Sequence, residues 1–534
     1  MIRGIPAGDA GLLLESDIPA VRLAAAITEA GLPGVIDVVP GQRAVLVITI
    51  PGSWDPGGLV SVIGALPIRE PDSSQAPAVE IPAVYDGPDL GEVARLAGMT
   101  VGEVIEAHSQ GDYTVAWLGF SPGFGYLTGL DRRLASVPRL ASPRPKVPAG
   151  SVAIAGGMTA VYPSASPGGW RLIGRTAVRM WDPDRDPPSL LAPGRRVRFR
   201  AAQAGLGGGQ GAADPRGHAA LAAQSGTVPA GPYLRVVRPG PLATVQDLGR
   251  PGFAAVGVAG SGAADVASLV QANMLAGNPA GAACIELTFG RATLRCSGAC
   301  TLATAGAPAS VTLRTDPGMP ASQRRFGAAF EVPDGGLVSI GPPEAGLRTY
   351  VSVTGGIATP AMLGSRSADL LASIGGPLEA GAILPVGAAS VWTSEASAGL
   401  AHARVPARGQ VTKLRILAGP RQDWFAANAL SILCGPGYTV SPASNRTGLR
   451  LDGPPVLRSG DAELPSEGLV TGSLQVPPEG RPILLLADHP TVGGYPVLAV
   501  VASADIGLAG QLRPGDRIRF AAVGTAEALA ALSR

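Results

Sequence analysis

The segment Pro193-Gly-Arg-Arg-Val-Arg-Phe199 recurs almost unchanged as Pro514-Gly-Asp-Arg-Ile-Arg-Phe520. Each copy follows a Gly-Gly-aromatic step by about two dozen residues, Gly168-Gly-Trp170 in the first case and Gly493-Gly-Tyr495 in the second. Pro-Gly sets a turn, and the alternating basic and apolar residues after it read as a half-buried strand. Two halves that close on the same turn and strand are built from one β module used more than once. With 534 residues the chain exceeds a single core, and roughly 150 residues per domain suggests three or four.

The spacing predicts a small α/β unit over 1–84. Asp17 and Pro19 open a helix with Ile18, Val21, Ala25 and Ile27 on or near one face, and Gly31 stops it. Val35–Val39 and Ala44–Ile50 around Pro40-Gly41 read as a hairpin, Leu59–Leu66 as a second helix and Val79–Tyr85 as a strand, giving a β-α-β-β-α-β-like order. Asp89-Leu-Gly-Glu92 and Thr100-Val-Gly-Glu103 have the form of capping boxes at two short helices. His108, at the end of the second, reads as a cap for the helix dipole or as a base. Ala201–Gly231 is rich in Gly, Ala, Gln and Ser without apolar periodicity, and its glycines match neither phosphate-binding fingerprint; it reads as a flexible linker. Beyond it an amphipathic helix with Val266, Leu269, Val270 and Met274 at core spacing precedes short strands, and helix returns only at Thr525–Leu532. The expected units are 1–84, 85–200, the linker 201–231, 232–408 and 409–534.

Turns of the first half concentrate cations. Of 42 basic residues only Lys146 and Lys413 are lysines, and Lys146 shares a short segment with Arg144 and Ser151, with Arg171 and Arg175 close behind. Polar groups on turns over rigid strands suit ligand binding, although any one of them is as readily a solvated turn residue. Charged residues make up 15% of the chain and the net charge is +2, which implies neither a nucleic-acid nor a membrane partner. No apolar run approaches the roughly 18 residues of a membrane span and no leader opens the chain, so the expectation is a soluble, cytoplasmic protein. Four cysteines fit a reduced compartment; Cys296 and Cys300 are expected to be core residues rather than zinc ligands.

Gly119-Phe-Ser-Pro-Gly-Phe-Gly-Tyr-Leu127, Val147–Gly156 and Ser166-Pro-Gly-Gly-Trp170 resemble the KipI family, the B-type component of prokaryotic ATP-dependent 5-oxoprolinase. Thr244-Val-Gln-Asp-Leu-Gly-Arg250, Ser466-Glu-Gly468, Gln475–Pro478 and Val492-Gly-Gly-Tyr-Pro496 resemble the KipA family, its C-type component. Both are similar to the carboxyltransferase portion of urea carboxylase. The resemblance implies a B–C fusion with a β-rich α+β fold, a small α/β domain followed by cyclophilin-like β-barrel domains in two fused halves: the α/β domain over 1–84 and a cyclophilin-like domain over 85–200 in the B-type half, then a first β-barrel domain over 232–408 and a second over 409–534 in the C-type half. The sequence departs from the family pattern at Ala264, Asn445 and His489.

What the resemblance implies for function is ATP-driven opening of 5-oxoproline to glutamate together with a separate A-type subunit, the chain alone being inactive. ATP and magnesium are the implied cofactors, and the substrate is a small amide. Such chemistry needs groups that stabilise negative charge on phosphate and oxyanion. Arg144, Ser151, Arg175, Arg250, Arg446, Gln475 and Tyr495 are the candidate substrate or phosphate binders, and Lys146, Asp265 and Asp488 the candidate catalytic groups. Asp247, Glu467, His108 and Tyr126 are further candidates, with the carboxylates able to hold magnesium or act as base. Two alternatives stay open: a carboxyltransferase-like component using biotin carried by a partner, and a histidine-kinase inhibitor of the Kip type.

Overall fold

The computed structural model describes residues 1–69, 77–140, 142–203, 229–316, 318–389, 403–460 and 462–532, so most of the expected linker lies outside the described residues. The N-terminal unit is a four-stranded antiparallel sheet in the order Arg3–Pro6, Gly11–Glu15, Ala44–Thr49, Val35–Pro40. Two helices cover one face: Ala20–Ala30, ended by Gly31 in the left-handed region, and Pro56–Gly64, capped by Asp55 on the Gly58 amide. The expected hairpin is present. The strand expected to complete this unit, Val79–Ala83, instead pairs in parallel with Arg196–Ala201 in the next sheet. The edge it was to fill is taken by an opening hairpin, Arg3–Pro6 with Gly11–Glu15, too short to show a clear alternation.

That next sheet has seven strands, and the bridge between Val84 and Arg175 brings its two ends together. At the other end of the chain, seven strands from Val411–Ala418 to Arg517–Ala522 form a closed barrel. In each barrel the Pro-Gly repeat supplies the same part. Arg196–Ala201 runs parallel to the barrel's first strand and antiparallel to Tyr113–Leu118, and Arg517–Ala522 runs parallel to Val411–Ala418 and antiparallel to Tyr438–Val440. The Gly-Gly-aromatic steps also coincide: Gly168 faces Arg144 in one two-stranded ribbon, and Gly493 faces Glu467 in the other.

A second signature fixes the equivalence residue by residue. The Gly87 and Asp89 amides donate to the Ile173 and Leu172 carbonyls at 3.2 and 3.0 Å, and the Gly419 and Arg421 amides donate to the Leu498 and Val497 carbonyls at 2.9 and 3.2 Å. Both turns read Gly-Pro-X, and only glycine fits: a Cβ would lie 2.3 Å from Leu172 O at Gly87 and 2.5 Å from Val497 O at Gly419. Asp89 and Arg421 therefore occupy one position of the module, and Arg144 and Glu467 another.

The unit over 232–408, expected as a barrel, is instead a six-stranded and a five-stranded sheet packed face to face on a shared core that includes Leu234, Val245, Ile285, Leu302 and Val351. The helix Val266–Leu275 lies beside them, capped by Asp265 on the Ser268 amide. Among the described residues no helix is long and apolar enough to cross a membrane.

Candidate functional site

In the first half the basic turns are largely tied down. Arg144 donates to Asp89 Oδ1 at 2.6 Å, and Asp89 Oδ2 accepts the Leu172 amide at 2.6 Å. These long-range partners take the Asp89 carboxylate away from the expected capping box, whereas the box Thr100–Glu103 does form. Ser151 is buried and donates to Pro148 O at 2.7 Å. Arg171 pairs with Glu92 and Arg175 with Asp86, the latter at the surface. Lys146 differs, being exposed and making no hydrogen bond or ion pair among the described residues.

Tyr126 stacks on Trp117 at 4.7 Å between centroids, and Phe124 meets Tyr126, Tyr162 and Trp170 edge-on. Burial raises the Tyr126 phenol well above its ordinary pKa. This aromatic loop is a packed core wall. His108 is also core: its Nδ1 lies 2.7 Å from the Tyr85 hydroxyl and its Nε2 2.8 Å from the Thr159 hydroxyl, and burial lowers its pKa to about 3. A ring so buried and doubly bonded remains neutral, and the structure corrects its reading as a cap or base.

In the second half the motif residues converge. Arg446 donates through Nε to Asp488 Oδ2 at 2.9 Å, through a terminal nitrogen to Glu286 Oε1, and to the Gly262 carbonyl at 2.5 Å. Ser261 donates to Asp488 Oδ1 at 2.7 Å, and Tyr350 to Glu286 Oε2 at 2.7 Å. Asp265 accepts from Ser268 and from Gln511 Nε2 at 2.8 Å, so the network crosses from the sandwich into the C-terminal barrel. Asp247 accepts from Ser365, Ser367 and the Gly249 and Arg366 amides. Arg250 donates to Ser367 O but keeps two buried nitrogens without hydrogen-bond partners among the described residues. Because nearly every oxygen is engaged, this is an interlock between modules, and the four carboxylates proposed for magnesium do not assemble a site. Among the described residues no three metal-ligating side chains converge. The Glu286 and Arg446 signals were unequal in the sequence: the Asn445-Arg446 stretch carried a motif, while Glu286 sits in an ordinary strand.

The two halves meet over a common core, with Leu13, Leu46, Trp117 and Phe124 packed among Leu469, Val492 and Val500. The Gly119 motif touches the Val492 motif directly, since a Cβ on Gly119 would lie 2.7 Å from Val492 Cβ. Polar ties reinforce the seam: Asp37 accepts the Gly252 and Ala254 amides, Asp9 the Ser503 amide, and Ser466 O the Gln42 amide.

A cavity of ≈ 260 Å³ opens at this seam, lined by Glu15 and Arg43 of the N-terminal sheet and by Arg421, Asp423, Trp424 and Glu467 of the C-terminal barrel, among others. Arg421 donates twice to Glu467 Oε2, at 2.8 and 2.6 Å, and once to Glu15 Oε1 at 2.5 Å. Glu467 Oε1 is buried and has no hydrogen-bond partner among the described residues. Burial raises the Glu467 pKa, with Arg421 opposing. Gln475 is buried and donates to Tyr495 O at 3.1 Å, while the Tyr495 side chain is exposed. Of the residues proposed from sequence, Glu467 alone lines this cavity; Arg421 and Arg43 carried no motif of their own.

Comparison with known proteins agrees with this division. Residues 6–191 match the carboxyltransferase domain, subdomain C and D, and residues 256–522 match the carboxyltransferase domain, subdomain A and B. The chain is 40% identical over 204 residues to the B-type component of 5-oxoprolinase from Escherichia coli O157:H7, covering 36% of this chain and 92% of that protein. It is 34% identical over 304 residues to the C-type component of 5-oxoprolinase from Escherichia coli K12, covering 56% of this chain and 94% of that protein. Urea amidolyase of Lachancea kluyveri is 29% identical over 54% of this chain, which spans only 17% of that enzyme. The crystal structure of TTHA0988 superposes with a TM-score of 0.80 at 34% identity, covering 98% of this chain and all of the other. The chain belongs to the carboxyltransferase-domain family, with the C and D subdomains in its N-terminal half and the A and B subdomains in its C-terminal half.

Proposed function

We propose that this chain is the fused B–C component of an ATP-dependent 5-oxoprolinase, acting with a separate A-type subunit. The observation that carries the reading is that likenesses to the B-type and C-type components, separate proteins elsewhere, lie on one chain and share one core at the seam. The lactam is unreactive until its carbonyl oxygen takes the γ-phosphoryl group, with ADP leaving. Water then adds to the activated carbon and the C–N bond breaks, the ring nitrogen taking up a proton, which leaves an acyl phosphate; a second water hydrolyses it, and phosphate departs from glutamate. Each anionic stage is stabilised by fixed cations. Lys146, with its ammonium unengaged at the surface of the first half, is suited to that task. The test is co-purification with an A-type subunit followed by assay of glutamate. Turnover should need both ATP and 5-oxo-L-proline, and the chain alone should be inactive. Absence of turnover in the assembled complex would sink the reading.

The likeness of over half the chain to urea amidolyase supports a second reading, a carboxyltransferase accepting a carboxyl group from partner-borne biotin. Carboxyl transfer from a carboxylated carrier protein, with no glutamate formed, would select it.

A further inference from the structure

The seam cavity departs from the other charged clusters in one respect. In the motif network of the second half the Glu286 and Asp488 oxygens are all engaged, and in the first half both Asp89 oxygens are. Glu467 lines the cavity and is 2% exposed; one of its oxygens is saturated by Arg421, and the other is buried with no hydrogen-bond partner among the described residues. A buried carboxylate oxygen left without a donor forfeits its hydration uncompensated, so a ligand that supplies the donor gains what the protein alone forgoes. Arg43 lines the same cavity, is exposed, and makes no ion pair among the described residues. Asp423, also lining it, is likewise exposed. The Trp424 ring, with the Arg458 guanidinium 5.7 Å from its centroid, adds a flat apolar wall.

We propose that this cavity is a binding site for a compact molecule bearing a carboxylate next to an N–H group, as an α-amino acid or its cyclised lactam does. The N–H donates to Glu467 Oε1, the carboxylate pairs with Arg43, and the carbon frame lies against Trp424. The cavity of ≈ 260 Å³ admits a molecule of that size. Because the lining comes from both halves, the site exists only where the two are joined. Arg421 is a positioning residue: three of its five N–H donors hold Glu467 and Glu15 in place.

The choice of probes rests on the 5-oxoprolinase reading, whereas the site rests on the cavity. Isothermal titration of the full-length chain with 5-oxo-L-proline and, separately, with L-glutamate should show saturable binding of one of them. Arg43→Ala, at an exposed position, should keep the thermal midpoint and weaken that binding at least tenfold, and Glu467→Gln should weaken it to a similar degree. Failure of both probes to bind, or equal binding by the wild type and both variants, would overturn the site. The two readings fail separately. Unaltered turnover of both variants in the complex with the A-type subunit refutes the site and spares the function. Binding that follows the variants in a complex without 5-oxoprolinase turnover spares the site and refutes the function.

Discussion

The ion pairs Arg144–Asp89 and Arg421–Glu467 occupy equivalent positions of the repeated barrel module, and both close at 2.6 Å, yet their charges are exchanged. In the first barrel the Gly-Pro turn carries the anion and the ribbon the cation; in the second the turn carries the cation and the ribbon the anion. The module needs opposite charges here to staple turn to ribbon, and either order meets that need. What differs is the remainder. Asp89 spends its second oxygen on the Leu172 amide, and Arg144 is partly solvated. Arg421 reaches out of its barrel to Glu15, and the second oxygen of Glu467, a residue that lines the cavity, is left buried without a partner among the described residues. A position that closes a barrel in one copy joins two halves and lines a site in the other.

The sharpest way to break this comparison is to remove each turn residue. Arg421→Ala strands the buried Glu467 carboxylate, while Glu15 keeps Arg3, and should cost about 3–5 kcal/mol in denaturant unfolding. Asp89→Ala leaves Arg144 free to turn toward water and mainly orphans the Leu172 amide, so about 1–3 kcal/mol is expected. Equal losses would mean that the two pairs are used alike. A pH series sharpens the same contrast. Burial raises the folded-state pKa of Glu467 above its unfolded value, among Arg421, Glu15 and Asp423. The native state therefore binds this proton more tightly, and the cost of keeping the carboxylate ionised is full at neutral pH and is relieved as pH falls through the raised value. Measured against Glu467→Gln, the wild type should gain relative thermal stability on acidification; a pH-independent difference would contradict that. The smallest stability effect belongs to Lys146→Ala. Its side chain makes no hydrogen bond or ion pair among the described residues, so the unfolding midpoint should not move, while turnover with the A-type subunit should fall about tenfold or more from the loss of one charge-assisted contact. Unchanged kinetics would remove Lys146 from the site.

Much of this contrast is traceable to local sequence. The repeated Pro-Gly-x-Arg-x-Arg-Phe strand and the Gly-Gly-aromatic steps located both barrels, and the helix stopped at Gly31 and the box at Thr100 formed as their residues require. Gly87-Pro-Asp89 and Gly419-Pro-Arg421 held the further signal that would have led to Arg421, hidden because the third residue changes sign. The capping box at Asp89 and the allotment of Val79–Ala83 to the first unit failed for a common cause: partners far along the chain competed with the local ones and won. The candidate site was less legible. Arg446, Asp265, Asp488 and Asp247 were picked out by motif, but a motif does not distinguish a carboxylate that acts from one that locks two modules together; that depends on whether its oxygens are already taken.

The sequence by itself determined the module: short apolar strands, turns that only glycine and proline accept, and a twofold use of one pattern, all set by backbone sterics within a few residues. The tertiary structure alone decided which charged groups are satisfied. Hydrogen bonds to a buried carboxylate are made by whichever donors the packing brings within about 3 Å, and here those donors lie hundreds of residues away, as Glu15 and Arg421 do.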